Sequence, residues 1–322
     1  METVEIAAKK KRASRLSRKS DARHIVTHRQ LTHLEKDVLK YAARFPFITN
    51  NHLAHALGRQ KLRRVVQTLK DERNDYMDLC KYQRDHFFQQ FMNAELAYGV
   101  TAKTREMLAD KGYFVHTNEF SGSYFYHTLF SVQLRSSFDI AAAQIEDVDI
   151  ISWHEIAKDP RVSRAALEGD RPNHFKIPPN VRTPNGAHSL IPDCYPFIVK
   201  SNSKAFPFLG IEADMGSESV SVTIRSKLIY YSHILQNDLH KTLYGFPKAY
   251  VAFFAKSKPR MMNMLAEAEK TVPEKLRPYF LFMHTIAPGD PEDNPLATGY
   301  AVTDEYLRPG HKPLCLYEES AG

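Results

Sequence analysis

The sequence predicts a mixed fold, α+β with α/β character, in two parts: an N-terminal helix-turn-helix unit followed by a mixed α/β domain. The chain has 322 residues, which suggests about two domains. Apolar residues recur with helical spacing up to residue 72, whereas later segments alternate between strand-like and helical patterns. Hydrophobic residues make up 43% of the chain, so each part can bury a core.

Positive charge is concentrated at the N-terminus. Residues 1–30 contain nine basic and three acidic side chains, so they carry six of the seven net positive charges. Like charges at this density resist burial, and we therefore predict that residues 1–28 form a disordered basic arm that binds a polyanion. A solubilising tail is the alternative interpretation. The arm residues that we assign to DNA are Lys9, Lys10, Lys11 and Arg12.

Several classes of protein are disfavoured by what the sequence lacks. No apolar run approaches the roughly 18 residues of a membrane span, and no apolar run follows the charged N-terminus as in a secretory signal. The three cysteines are widely spaced, which fits a reducing compartment. Neither a phosphate-binding loop nor a paired Cys-x-x-Cys zinc motif occurs. We therefore expect a cytoplasmic protein that is neither an ATP-driven motor nor a zinc finger.

Helical patterns predict three helices at the start of the N-terminal unit, residues 29–117. The first begins at a capping box formed by Thr32 and Glu35, which satisfies two helix-end N–H groups, and it stops at Pro46. The second runs from Thr49 or Asn50 to Gly58, and the third from about Arg59 to Glu72.

The same unit continues with candidate strands at 76–82, 87–92 and 95–100 and a helix capped by Thr101. Three helices, a hairpin and a further helix predict a winged helix. Such folds place the third helix in the DNA major groove. A solvated helix face is the alternative. The cations that we assign to DNA here are Arg59, Lys61, Arg63, Arg64 and Lys70.

Residues 118–290 are predicted to form the α/β domain, with element order α-β-β-β-α-β-α-β. The predicted helices span residues 124–144, 218–236 and 260–271, and the predicted strands lie near 149–153, 189–191, 208–214, 249–255 and 279–284. Residues 291–322 contain many Pro, Gly and Asp residues, and we predict a loop and tail there.

Three carboxylates lie where strands are predicted to end. Asp193 follows Pro192, and Glu212 and Asp214 are two residues apart, so strand periodicity points both to one face. Burying two like charges is costly unless a cation neutralises them, and carboxylates are ligands that Mg²⁺ or Mn²⁺ accepts. We predict a metal site of Asp193, Glu212 and Asp214. Exposure to solvent, or pairing with Arg225 or Lys227, is the alternative.

The order of these residues resembles the PD-(D/E)xK nucleases, which are restriction-endonuclease-like. In that fold an aspartate and a later Glu-x-Lys bind Mg²⁺ through the two acidic groups, and the lysine positions or activates a water molecule. Asp214 stands where the lysine is expected, 21 residues after Asp193. We predict that Lys227 on the next helix replaces it, with Tyr231 four residues on and on the same helical face.

Short motifs in a fixed order extend the resemblance. After the predicted winged helix come Tyr-Gly-Val-Thr (98–101), His-Thr-Leu (127–129), Pro-Asp (192–193), Ile-Glu-Ala-Asp-Met-Gly-Ser-Glu (211–218) and Lys-Leu-Ile-Tyr-Tyr (227–231). This pattern resembles the replication-relaxation family of plasmids and integrative elements, and it is similar to the MOBC-class relaxases. The resemblance implies metal-dependent nicking of double-stranded DNA at a transfer or replication origin, with mobilization or replication accessory proteins as candidate partners.

The resemblance also assigns candidate roles. Asp193 and Glu212 would hold Mg²⁺ or Mn²⁺, Asp214 would act as a ligand or base, and Lys227 would stabilise charge on the phosphate. His127 is a candidate for phosphate binding or proton transfer, and Tyr231 stays open as a nucleophile. The rival is a catalytically inactive nuclease-like DNA-binding accessory or regulatory protein, which the missing lysine favours. Trp153, Tyr244 and Tyr250 could stack on unpaired bases or pack in the core.

Overall fold

The computed structural model describes residues 30–71, 74–80, 96–116, 124–163, 182–183, 186–187, 190–285 and 299–317. The basic arm, including Lys9, Lys10, Lys11 and Arg12, lies outside the described residues, as does the strand predicted over 87–92. The described chain is α+β, with helices and a seven-stranded mixed sheet. Among the described residues, no helix is both long and apolar enough to cross a membrane.

In its described residues the N-terminal unit has four helices and a small antiparallel sheet of strand order β1-β3-β2. Its elements in chain order are α1 His33–Ala42, β1 Ile48–Thr49, α2 Asn50–Ala56, α3 Arg63–Lys70, β2 Met77–Leu79, β3 Ala97–Val100 and α4 Ala102–Ala109. Apolar residues from α1, α2, α3 and β2 form one core cluster.

Local capping explains where these helices begin. The predicted capping box is present, because the Thr32 side chain accepts from the Glu35 N–H and the Glu35 side chain accepts from the Thr32 N–H. Thr101 caps α4 as predicted. The third helix is shorter than predicted: Gly58 has a left-handed φ of +63°, and the chain enters the helix only at Arg63. Arg59 and Lys61 therefore precede α3.

The large sheet has strand order β12-β11-β10-β9-β8-β7-β4. Its strands are β4 Val148–Ile151, β7 Phe197–Ser201, β8 Lys204–Asp214, β9 Tyr250–Ala255, β10 Phe280–His284, β11 Glu305–Arg308 and β12 His311–Cys315. β8, β9 and β10 are parallel to one another, and the remaining neighbours are antiparallel. A separate two-stranded ladder joins β5 Arg182–Thr183 to β6 Gly186–Ala187.

Helices cover both faces of this sheet. They are α5 Phe125–Gln144, α6 Trp153–Ile156, α7 Arg225–Gln236 (preceded by a π-helical turn, Val220–Ile224), α8 Leu239–Tyr244, α9 Lys258–Thr271, a 3₁₀ helix Glu274–Tyr279 and α10 Tyr300–Thr303. Alternation along β9 separates the two cores: Val251 and Phe253 pack with α7 and α9, whereas Ala252 and Phe254 pack with α5.

Two predictions about the sheet are wrong. The strand expected near 189–191 is instead β7 at Phe197–Ser201, and residues 299–317 are not a loop and tail, because they form α10, β11 and β12. β12 is an edge strand that contains Pro313, and its first three residues are exposed. Edge strands are commonly polar and tolerate proline, so their composition looks like that of a loop.

The helix α5 joins the two parts of the chain. Its residue Val132 belongs to the N-terminal core, and Phe125 stacks on Phe47 with ring centroids 5.1 Å apart. A buried polar network adds to this contact, because Asp139 accepts from Arg135 at 2.7 Å and from the Tyr41 hydroxyl at 2.8 Å. The N-terminal unit is thereby packed against the sheet domain.

Gly210 allows the segment that carries Asp193 to lie directly against β8. A Cβ atom at position 210 would meet the Pro192 Cβ at 2.4 Å and its Cγ at 2.8 Å. Beyond this contact the Asp193 N–H donates to the Ile211 carbonyl at 3.0 Å, and Cys194 forms an antiparallel bridge with Ile211. The small residue therefore fixes Asp193 beside the second half of β8.

Gly210→Ala is expected to destabilise the protein by about 1–3 kcal/mol, the usual cost of overpacking, because Pro192 must move. Urea unfolding measures this loss. Pro192→Gly removes the opposing Cβ, so a double-mutant cycle should show that the two substitutions are coupled and that the double variant recovers part of the loss. Additive effects of the two substitutions would contradict the contact.

Candidate active site

The carboxylate of Glu212 lies near the centre of the sheet and is held by α7. Its side chain is 2% exposed. The Tyr231 hydroxyl donates to Oε1, and Lys227 Nζ lies 3.0 Å from Oε2. Oε2 has no well-aligned hydrogen bond among the described residues. Lys227 and Tyr231 are four residues apart, so one face of α7 supplies both partners.

Lys227 also pairs with Glu218, a residue that the sequence did not single out as a site residue. The Nζ atom lies 3.1 and 3.2 Å from the two Glu218 carboxylate oxygens. Burial acts to lower the pKa of Lys227, but the surrounding charges of Glu212, Asp193 and Glu218 raise it well above its ordinary value. Lys227 is therefore a permanent cation at neutral pH.

Asp193 and His127 complete the cluster. The Asp193 Oδ2 accepts from the N–H of Ala213 at 2.8 Å, and Oδ1 lies 3.3 Å from His127 Nε2. His127 is in the first turn of α5. Its hydrogen bond to Asp193 raises the pKa of the imidazole, although burial acts in the opposite direction. His127 pairs with Asp193, and Lys227 pairs with Glu212, one residue before the Ala213 that donates to Asp193.

Burial and the neighbouring charges both act on the pKa of Glu212. Burial raises its pKa from 4.5 to about 7, the nearby Lys227 opposes this shift, and the Asp193 charge adds to it. One lysine thus faces three carboxylates, those of Asp193, Glu212 and Glu218. Below about pH 7 Glu212 therefore holds a proton, which a bound cation would displace.

Asp214 does not join this cluster, contrary to the prediction of a three-carboxylate metal site. Its two oxygens accept from Arg260 Nε and a terminal guanidinium nitrogen at 2.6 and 2.9 Å. Arg260 also donates to the backbone carbonyl of Glu218. A bidentate pair of this kind fixes both partners, so Asp214 anchors α9 and the turn after β8. Arg260 was missed because nothing in its local sequence marks it.

The described residues contain no group of three or more His, Cys, Asp or Glu side chains arranged to hold a metal ion. The ligand set that remains from the prediction is the pair Asp193 and Glu212. Arg225, one of the alternative partners of the carboxylates, lies 3.6 Å from Glu267 instead. Lys227, the other alternative partner, does pair with Glu212.

The aromatic candidates are buried. Tyr231 has no exposed surface and its hydroxyl is committed to Glu212; burial and that carboxylate raise its pKa well above the usual value, so it is not poised as a nucleophile. Tyr244 and Tyr250 are core residues. Trp153 is 7% exposed, although it lines a cleft beside the cluster.

The cations assigned to DNA lie at the surface of the N-terminal unit. Arg63, Arg64 and Lys70 are exposed on α3, and Arg59 and Lys61 are exposed just before it. Within the described part of the chain none of them lies in an ion pair. The opposite side of α3 is buried through Val66 and Leu69. The helix therefore presents a positively charged outer face.

The buried Glu212 predicts a pH dependence of stability. The folded state keeps a proton that the unfolded chain loses between pH 4.5 and about 7, so stability falls as pH rises through this interval. We expect urea unfolding to show a loss of about 1–3 kcal/mol from pH 5 to pH 8, and Glu212→Gln to flatten it. Glu106→Gln, on the exposed face of α4, is the control and should leave the profile unchanged. A Glu212→Gln profile as steep as that of the wild type would refute the assignment.

Comparisons with protein-family models, with curated protein sequences and with solved structures gave no significant match to this chain. The resemblance to the replication-relaxation family therefore stays a prediction that rests on the residues themselves.

Proposed function

We propose that this protein is a relaxase-like DNA-binding protein of a plasmid or integrative element, which nicks DNA at a transfer or replication origin by metal-dependent phosphodiester cleavage. The proposal rests on the positions of three side chains. Asp193 accepts a hydrogen bond from the N–H of Ala213 on β8, and Lys227 on α7 lies 3.0 Å from the preceding residue of β8, Glu212. Two acidic groups on neighbouring chain segments with a lysine beside them match the PD-(D/E)xK-like pattern expected from the sequence.

Asp193 and Glu212 are suited to hold Mg²⁺ or Mn²⁺. Mg²⁺ commonly uses one or two carboxylates and completes its shell with water and phosphate oxygens, so two protein ligands suffice. The buried Glu212 Oε2 atom contacts Lys227 Nζ at 3.0 Å, and a carboxylate oxygen has a second lone pair that a cation can use. When bound, such a cation supplies Lewis-acid stabilisation of the phosphate and lowers the pKa of a bound water.

The remaining residues have separate roles in the proposed hydrolysis. Lys227 is a cation and not a base, because its pKa is raised, so it stabilises negative charge on the phosphate in the transition state. The hydrogen bond to Asp193 raises the pKa of His127, and the protonated imidazole would donate its proton to the leaving oxygen as the P–O bond breaks. The water oxygen forms the new bond to phosphorus, and the proton of that water passes to solvent. Tyr231 and Glu218 position Glu212 and Lys227.

The N-terminal unit supports binding to double-stranded DNA. Its order of three helices, small sheet and final helix is the arrangement expected of a winged helix, and α3 carries the exposed cations. Phosphate contacts from these side chains and from the basic arm would give affinity, and base-edge contacts from α3 would select the origin site. Mobilization or replication accessory proteins are the further partners that we propose.

A second candidate is a catalytically inactive, nuclease-like DNA-binding accessory or regulatory protein. Asp214 occupies the position of the expected lysine and is tied to Arg260, while Lys227 is already paired with two carboxylates. In this alternative Lys227 only neutralises the acidic cluster. Nicking activity distinguishes the two candidates.

Nicking of supercoiled plasmid that carries the native element's origin should require Mg²⁺ or Mn²⁺ and should depend on the cluster. Lys227→Ala is expected to lower the cleavage rate about 100-fold or more, since the loss of one transition-state charge contact usually costs a few kcal/mol. Asp193→Asn should lower the rate as strongly, because it weakens a ligand of the cation. DNA affinity should change less than about two-fold.

Lys200→Ala is the matched control for this assay, because Lys200 is an exposed lysine on β7 that pairs weakly with Asp149 at 4.0 Å. It should nick at the wild-type rate. If the wild-type protein leaves the origin plasmid intact with either metal, alone or with accessory proteins, the inactive candidate replaces the enzyme.

DNA binding should separate into arm and helix contributions. Deleting residues 1–28 should flatten the slope of log affinity against log salt concentration, because each neutralised phosphate contributes about −0.9 to it. Arg63→Ala with Arg64→Ala should weaken origin DNA more than random DNA if both residues reach base edges. Fluorescence anisotropy measures both effects, with Lys270→Ala on the exposed surface of α9 as the control. Equal losses on all sequences would limit the two arginines to phosphate contacts.

A further inference from the structure

A cleft of about 730 Å³ lies between the N-terminal unit and the sheet domain. It is lined by side chains from five places: the segment after α1, the segment after α4, the start and first half of α5, residues 152–154 at the start of α6, and the segment 191–196. Pockets of this size accommodate small organic ligands and single nucleotide units. Because Asp193 and His127 line it, the cleft adjoins the carboxylate cluster.

One side of the cleft is aromatic. Phe114 and His154 are stacked with ring centroids 5.8 Å apart, and Tyr195 meets Phe114 edge-on at 6.0 Å. All three rings are partly exposed. A planar base can stack on such rings, and this contact is tolerant of base identity because every base has a π face.

Arg44 and Arg135 place two guanidinium groups next to each other in the wall of the cleft. Both guanidinium groups pair with the same carboxylate, Asp139, at 3.3 and 2.7 Å, so two cations share one anion. The Arg135 side chain is 10% exposed and yet lines the cleft. A positive charge held in a largely dry site favours an anionic ligand.

We propose that the cleft binds one unpaired nucleotide of a DNA strand, with its base against Phe114 and Tyr195 and its phosphate toward Arg44 and Arg135. A base inside a duplex is stacked and cannot reach a concave site, whereas an unpaired or extruded base can. This inference rests on the proposed function in one respect: the strand that enters the cleft is the one whose neighbouring phosphate reaches Asp193.

The test uses the full chain in EDTA, so that cleavage plays no part. A mixed-sequence single strand with one 2-aminopurine, the duplex of the same sequence, and a single strand with an abasic site at the probe position are titrated with protein. We expect the 2-aminopurine fluorescence to fall on binding, and the abasic strand to bind about ten-fold more weakly than the intact strand. An unchanged fluorescence in the wild type, or equal binding of the abasic strand, would overturn the proposal.

Substitutions at two neighbouring aromatic residues test whether single-strand binding depends on the ring of Phe114. Phe114→Ala should weaken single-strand binding about ten-fold and remove the fluorescence change, while duplex binding stays within about two-fold. Phe114→Tyr keeps the ring and should restore both. Tyr113→Ala is the control, because Tyr113 is the adjacent exposed aromatic residue and does not line the cleft. Equal effects of Phe114→Ala and Tyr113→Ala would overturn the assignment.

Competition with a deoxynucleoside monophosphate distinguishes a strand from a free nucleotide and does not depend on any variant. Displacement only at concentrations far above the strand's Kd supports a strand unit; displacement at equal concentrations means that free nucleotide is the ligand and overturns the strand assignment. If the protein passes these tests but never nicks DNA, the proposed function is wrong and the nucleotide site in the cleft stands. If the protein nicks DNA but fails these tests, only the nucleotide site in the cleft is wrong.

Discussion

The buried carboxylate of Glu212 constrains most of the site around it. A carboxylate that is buried away from water must be neutralised or must accept hydrogen bonds, and burying an unpaired carboxylate costs several kcal/mol. α7 meets this requirement with two residues one turn apart, the ammonium of Lys227 and the hydroxyl of Tyr231. Glu212 therefore adds a polar constraint on the rotation of α7 to that of its buried apolar residues, such as Leu228 and Ile234. Lys227 also faces Asp193 and Glu218, so one lysine lies among three carboxylates, and a bound divalent ion would supply further positive charge there.

Three arginine–carboxylate pairs hold the surroundings in place. Arg260 on α9 donates both to Asp214 at the end of β8 and to the backbone carbonyl of Glu218. This contact holds the turn that carries Glu218, which is a partner of Lys227. Arg135 and Arg44 share Asp139 between α5 and the N-terminal unit. Fork-shaped guanidinium contacts restrict orientation more than a lysine pair does. Under the proposed function, an N-terminal unit fixed in this way would hold DNA at a defined distance from the carboxylate cluster.

Local signals in the sequence predicted the elements that depend on them. The capping residues Thr32 and Thr101 and the strand periodicity that places Glu212 and Asp214 on one face could be read directly. What could not be read was long-range pairing. Glu212 and Asp214 lie on the same face of β8 but have different partners. Glu212 pairs with Lys227, whereas Asp214 pairs with Arg260, 46 residues away along the chain. The edge strand β12 is polar and contains a proline, so its position in the sheet is set by neighbours that a local pattern does not reveal. Gly210 is informative only once Pro192 is known to lie against it.

The central claim is that Asp193 and Glu212, without Asp214, form the cation site that activates DNA cleavage. Binding of Mn²⁺ to the full chain, followed by electron paramagnetic resonance with and without DNA, tests it most directly. The account predicts one site that is lost in Asp193→Asn and in Glu212→Gln but retained in Asp214→Asn, provided that each variant is folded by circular dichroism. Mn²⁺ binding that survives the first two substitutions, or that is lost equally in Asp214→Asn, would contradict it.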